Sequence, residues 1–334
     1  MSIDFTRPSL LRTVLYFVVF YAIFRGREFL PADPQQAAST MMPLEAALAG
    51  FFGRHIVLTE VVTFFFAFLN AFYITRILSR NLIFLERTYL PALVYLLVAT
   101  GYTSSQLSVI MLAVSFLVIY AIDSMIRSHK KSGNFGHFLH ASVVLGLAPL
   151  LYAPSVIYFG LLLVGFAVFR KDGRSIVISL AGYLLPIFFC SYILWGMKEP
   201  FLLTVQQIGT IVTTPDPEAL FIFRMTAWDY ALTALFLLLT IIGLVNFAQK
   251  YKSMRSRAQN GYRMFAWSLV VALGMVALPC RSLDMLPMLA VPLAVIIPAC
   301  FNRQLGWVPN LLYILLMGSM LAYNLLPYLP LFTA

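Results

Sequence analysis

The stretch from Ile56 to Leu78 reads IVLTEVVTFFFAFLNAFYITRIL. Only Glu60 and Arg76 in it are charged, and they stand near its two ends. A helix built from it has no polar face to turn to water, so it does not read as the surface helix of a soluble domain. About 20 apolar residues in a helix cross the hydrocarbon layer of a bilayer, and this stretch meets that length. The chain as a whole carries the same signature. Of its 334 residues 61% are hydrophobic and 11% charged, where soluble domains are roughly a quarter charged.

Outward from that stretch, similar segments lie at 10–25, 88–101, 105–125, 137–151, 154–169, 175–196, 227–248, 263–279, 285–300 and 307–327. The expected fold is all-α: one polytopic transmembrane helix bundle over residues 1–334 with about eleven spans. Segments 88–101 and 137–151 are short for a span. Losing one of them inverts everything beyond it, whereas losing both leaves nine spans in the same orientation. The apolar run from Leu10 to Phe24 follows Arg7 but is followed by Arg25, Gly26, Arg27 and Glu28 rather than a small-residue cleavage site. It therefore reads as a retained first span, not a signal peptide.

Charge sets the expected orientation. With the N-terminus inside and the spans alternating, the inner segments hold 17 of the 23 basic residues, from Arg7 and Arg12 through Arg76, Arg80, Arg127, Lys171 and Arg257 to Arg303. The outer side holds six: Arg25, Arg27, Arg54, Lys198, Arg224 and Arg281. Nine of the 13 acids fall outside or near the outer face. This is the positive-inside pattern, and it places the C-terminus outside. The net charge of +10 is thus an orientation signal that meets anionic lipid headgroups. A nucleic-acid partner would need a basic, aromatic-laced face on a soluble module, and the sequence holds none.

Two outer loops are long. The first, 25–55, contains the amphipathic PLEAALAGFF of Pro43 to Phe52, suited to lying on a membrane surface. The second, 197–226, holds the turn-prone TTPDPE of Thr213 to Glu218. No phosphate-binding, dinucleotide, zinc-protease or serine-hydrolase motif occurs. No spacing calls for a metal or a cofactor. Cys190, Cys280 and Cys300 read as small core residues, and His137 and His140 as interface histidines. Asp123 stands four residues before Arg127, as a local helix pair. Asn70 reads as a helix–helix hydrogen-bonding point. Glu60 and Asp229 read as reaching the outer headgroup layer.

The outer face carries the candidate site. Glu28, Asp33 and Glu45 are candidate general bases for an acceptor hydroxyl. Arg27, Arg54, Arg224 and Arg281 run against the positive-inside bias, and a guanidinium fork suits a lipid phosphate. The bland alternative is a set of solvated loop charges and loop-to-loop ion pairs.

Two stretches carry a resemblance. They are RNLIFLERTYLPALVYLLVA, Arg80 to Ala99, and ASVVLGLAPLLYAPSVIYFGLLLVGFAVFRKDGRSIVISLAGYLLP, Ala141 to Pro186. The second runs as a small-residue helix, a proline turn, a second helix, a basic turn and a helix with Gly182 and Pro186. Together they resemble a family of bacterial multi-pass inner-membrane proteins with no assigned activity, over about half the chain. More distantly, the arrangement is similar to the GT-C membrane glycosyltransferases, with their inner N-terminus and long first outer loop bearing an essential acid. That resemblance implies a polyprenyl-phosphate-linked sugar as substrate and Asp33 as the acid nearest the expected place. Catalytic members commonly carry adjacent acids there, whereas Glu28, Asp33 and Glu45 are dispersed.

Three readings follow. One is an envelope glycosyltransferase with Asp33, Glu28 or Glu45 as base and Arg224 and Arg281 on the phosphate. The second is a non-catalytic subunit or scaffold of an envelope assembly complex, with other envelope proteins as partners. The third is a transporter or flippase, which calls for broken helices or repeats around a central site.

Overall fold

The computed structural model describes residues 9–25, 42–84, 88–101, 109–128, 135–214, 227–278, 285–301 and 308–325. All regular structure in these residues is helical. We number the helices α1 (Leu10–Arg25), α2 (Pro43–Arg54), α3 (Ile56–Arg80), α4 (Leu90–Thr100), α5 (Val109–Arg127), α6 (Phe135–Leu151), α7 (Phe159–Phe169), α8 (Gly173–Gly196), α9 (Leu203–Thr213), α10 (Ala227–Lys250), α11 (Ser256–Val276), α12 (Leu286–Ile296) and α13 (Val308–Leu325). A 3-10 turn, Ala153–Tyr158, leads into α7, and another, Ile297–Phe301, continues α12. Within the described residues each segment expected as a span contains a helix.

Among the described residues four helices are long and apolar enough to cross a membrane: α3, α5, α8 and α10 with its following turn. The other apolar helices are shorter. Burial sorts the long ones. In α5, 78% of the apolar window is buried inside the protein, against 22% in α3 and 28% in α8 and α10. So α5 is central and the other three are peripheral. The peripheral helices turn large apolar side chains outward: Leu184, Leu185, Phe188 and Phe189 on α8, and Leu237, Leu238, Ile241 and Val245 on α10. A continuous apolar surface of this kind is an aggregation hazard in water and the ordinary exterior in lipid.

The middle of the bundle is filled by two short helices. In α4 every residue from Leu90 to Ala99 is buried, and in α12 every residue but Leu289 is buried. Both are apolar all round, which suits a helix enclosed on every side, and they pack against each other. Each opens on Leu-Pro, at Pro91 and Pro287. Proline fits the first turn because an N–H there has no helical acceptor. Around this core, α1 contributes Phe17, which meets Phe68 of α3 edge-on at 5.5 Å. This edge-to-face geometry is the preferred one for aromatic pairs.

Close backbone approach locks the outer layer on. Gly146 of α6 lies against the Tyr183 backbone of α8, and Gly182 of α8 lies against Leu139 and Ser142 of α6. Small residues at both crossing points let the two helices touch, as membrane helices do in the absence of a hydrophobic drive.

Hydrogen bonds show which helix ends lie together. Ser124 near the end of α5 donates to the His137 carbonyl at the start of α6. Lys171, between α7 and α8, donates to the Ser128 carbonyl just past α5 and sits 4.9 Å over the Phe138 ring. At the opposite end, Asn324 of α13 donates to the Gly101 carbonyl after α4. Two loop helices gather there too. Met42 before α2 shares a small apolar cluster with Leu150, Ala153, and Ile208 and Ile211 of α9. The second long loop therefore holds a helix, α9, where the sequence suggested only a turn-rich connection. Its apolar residues are spaced for one helix face, but Gln206, Gln207 and the threonines hide that pattern among polar residues.

Candidate functional site: arginines around Asp123

The most chemically committed group in the described residues is Asp123, one turn before the end of α5. It is 1% exposed. A lone buried carboxylate costs several kcal/mol to desolvate, so it must be paired or hydrogen-bonded. Asp123 is both. Oδ2 accepts from Arg127 at 2.5 Å and from the Tyr73 hydroxyl at 2.8 Å. Oδ1 accepts from Arg80, the last residue of α3. The expected pair with Arg127 is therefore half of the arrangement, and the other half comes from α3. Tyr73 and Arg80 are seven residues apart, so both lie on the face α3 turns to α5.

A third arginine joins from α11. Arg257 lies within the electrostatic reach of Arg80, Arg127 and Asp123. One turn further on, Gly261 approaches Ile83 and Ile126, the neighbours of the other two arginines. The Arg257 Nε is buried and has no hydrogen-bond partner. Arg80 and Arg127 thus hold the carboxylate directly, and Arg257 stands near them without touching it. The α3 terminus is held by a Schellman-type closure, with the Ile83 N–H donating to the Leu78 carbonyl at 3.1 Å. Its left-handed position is filled by Leu82, at φ 52°, where glycine is the usual residue. At the same end of the bundle, partial burial pulls the Lys171 ammonium below its ordinary value, opposed by the charge of Asp172.

A second polar group crosses the centre. Asn70 donates to the Tyr95 hydroxyl at 3.0 Å and to the Leu112 carbonyl at 2.9 Å. Tyr95 pairs with Ser115 at 3.0 Å, and Ser115 donates to the Pro287 carbonyl at 3.0 Å. This chain ties α3, α4, α5 and α12 together, and it realises the helix–helix role expected of Asn70. It is a structural clasp, because these donors are spent on neighbouring helices.

The residues singled out at the outer face fare differently. Glu28, Asp33, Arg27, Arg224 and Arg281 lie outside the described residues. Arg54 is exposed at the end of α2. Glu45 is buried in the first turn of α2, where its carboxylate accepts from the Met42 N–H at 3.2 Å. That is the return half of a capping box. Asp229 departs from expectation. It is fully buried and accepts from the Tyr323 hydroxyl of α13 rather than reaching a headgroup layer. A tyrosine 94 residues away in sequence gives no local signal of that pairing. Cys300 is buried and its thiol donates to the Leu239 carbonyl at 2.7 Å. Among the described residues no group of three or more His, Cys, Asp or Glu side chains is arranged to hold a metal.

No family model, curated protein or solved structure matches the chain.

Proposed function

We propose that the protein is a multi-pass integral membrane protein of the bacterial cytoplasmic membrane, acting as a non-catalytic subunit or scaffold of an envelope assembly complex. The observation that carries this reading is the filled centre. Two enclosed helices, α4 and α12, and the Asn70–Tyr95–Ser115 clasp fill the middle of the bundle. The positive-inside pattern supports a cytoplasmic face for the end carrying Arg80, Arg127, Lys171 and Arg257. The length of α8 supports a full crossing. From Arg174 to Trp195 it rises about 31 Å, close to the hydrocarbon thickness. It ends in exposed Tyr192 and Trp195, with Trp228 and Tyr230 exposed at the start of α10, an aromatic belt of the kind found at membrane interfaces.

One observation favours the competing reading, a polyprenyl-phosphate-linked glycosyltransferase. α2 and α9, from the two long loops, converge at the end of the bundle where such chemistry would occur. One experiment separates the two. The full chain is purified from native membranes in mild detergent, and Asp33→Asn and Glu45→Gln are assayed for envelope glycans at normal protein level. The scaffold reading expects a stoichiometric partner and unchanged glycans. A protein that always isolates alone, with glycans lost in either variant, makes it an enzyme.

A further inference from the structure

The ends of α3 and α5 and the start of α11 surround a carboxylate with more cationic neighbours than it can neutralise. Asp123 already accepts from Tyr73, Arg80 and Arg127. Against its single negative charge stand the charges of Arg80, Arg127 and Arg257, a surplus of two.

The donors are unspent as well. A guanidinium carries five N–H donors in a fixed fork. Arg80 and Arg127 each direct one terminal nitrogen at Asp123. Their side chains remain 32% and 41% exposed, so each keeps surface that a ligand can reach. The Arg257 Nε is buried with no partner. Leaving a buried donor unmet is costly, and gathering like charges adds repulsion. An anion offsets the repulsion between the arginines.

We propose that Arg80, Arg127 and Arg257 form a binding site for a phosphate group, carried by a lipid headgroup or free in solution. A carboxylate offers two oxygens and fills one fork. A phosphate monoester offers three terminal oxygens, enough to meet three converging guanidinium groups with charge-assisted hydrogen bonds. Asp123 is the positioning residue. It fixes two of the arginines and lowers the net charge of the empty site, but its oxygens are committed to the protein. The depth suits a headgroup, because the last turns of α5 are buried from Ala121 through Ile126 and the helix becomes exposed at Arg127. The site goes beyond the scaffold reading and stands without it.

The test uses the purified full chain in detergent with three probes: phosphatidylcholine, phosphatidic acid and inorganic phosphate. Bound lipid is read by native mass spectrometry, and thermal unfolding is followed in parallel. The wild type retains phosphatidic acid over phosphatidylcholine. Arg257→Gln weakens that retention about tenfold, the worth of one lost charge-assisted hydrogen bond. Lys252→Gln, an exposed charge at the same end, leaves it unchanged. Arg127→Lys keeps the charge but loses the fork, and weakens retention several-fold. This variant decides the matter should Arg257→Gln unfold in phosphatidylcholine alone. Displacement of phosphatidic acid by millimolar inorganic phosphate assigns the site to phosphate from either source. Failure to displace it assigns the site to the headgroup. Retention unchanged in both arginine variants, equal loss in Lys252→Gln, or equal retention of both lipids overturns the proposal.

Discussion

Replacing Gly146 by alanine tests the packing of the bundle at its tightest point. A Cβ there stands 2.1 Å from the Tyr183 carbonyl oxygen and 3.0 Å from its carbon. Carbon–oxygen contacts normally sit near 3.3–3.6 Å. The obstacle is backbone, so no rotamer change relieves it, and α6 and α8 must part by about 1 Å, forfeiting dispersion contacts along their crossing. Overpacking costs about 1–3 kcal/mol, and a backbone clash lies at the upper end. Alanine returns about 1 kcal/mol of helix propensity. The expected net loss is about 2 kcal/mol. Gly182→Ala meets the Ser142 hydroxyl at 2.6 Å and a Leu139 methyl at 2.7 Å, side-chain ends that can turn away, so it loses about half as much. Gly274, exposed on α11 with nothing within 4 Å of its Cβ, gains up to about 1 kcal/mol on the same change. Reversible unfolding of the three variants in mixed micelles titrated with dodecyl sulfate gives the ranking. Gly146→Ala as stable as Gly274→Ala would refute the close α6–α8 crossing.

Further outcomes follow from the same geometry. Tyr95→Phe removes one hydroxyl from the central clasp but leaves Asn70 its Leu112 carbonyl and Ser115 its Pro287 carbonyl; the same titration should show a loss of about 1 kcal/mol. Leu82→Gly relieves a left-handed leucine that is 51% exposed, and should raise the unfolding midpoint by the equivalent of about 1 kcal/mol. Asp123→Asn leaves Arg80 and Arg127 facing each other without a counter-charge. Discounted for the partial exposure of both arginines, the cost is about 2 kcal/mol, and it should shrink as salt screens the repulsion.

The helices were legible because apolar length is a strong signal, and each expected segment contains a helix within the described residues. Two features of the fold were not. α9 is short, and its buried Thr204, Ile208 and Ile211 are interleaved with glutamines that read as loop. The division between enclosed and peripheral helices was equally hidden, because LPALVYLLVAT of α4 and the apolar run of α3 look alike until neighbours are in place. Only the slightly shorter length of segment 88–101 hinted at it. At Asp123 the local rule found Arg127, four residues on, but not Arg80 or Arg257, 43 positions before and 134 after. Sequence spacing carries no trace of such neighbours. The sequence pointed instead to the acids of the long loops. Of these, Glu45 turns its carboxylate back on its own helix start, a role its place three residues after Met42 would have allowed, had the capping residue been a serine or threonine.

In the proposed arrangement the bundle crosses the membrane with its arginine-rich end in the cytoplasm. Single cysteines introduced at Lys252, at that end, and at Lys198, at the other, can be probed with a membrane-impermeant thiol reagent in intact spheroplasts, on a background lacking Cys190, Cys280 and Cys300. Labelling of Lys198→Cys in intact cells, with labelling of Lys252→Cys only after permeabilisation, is the predicted result. Labelling of Lys252→Cys in intact cells, or equal labelling of both, would contradict it.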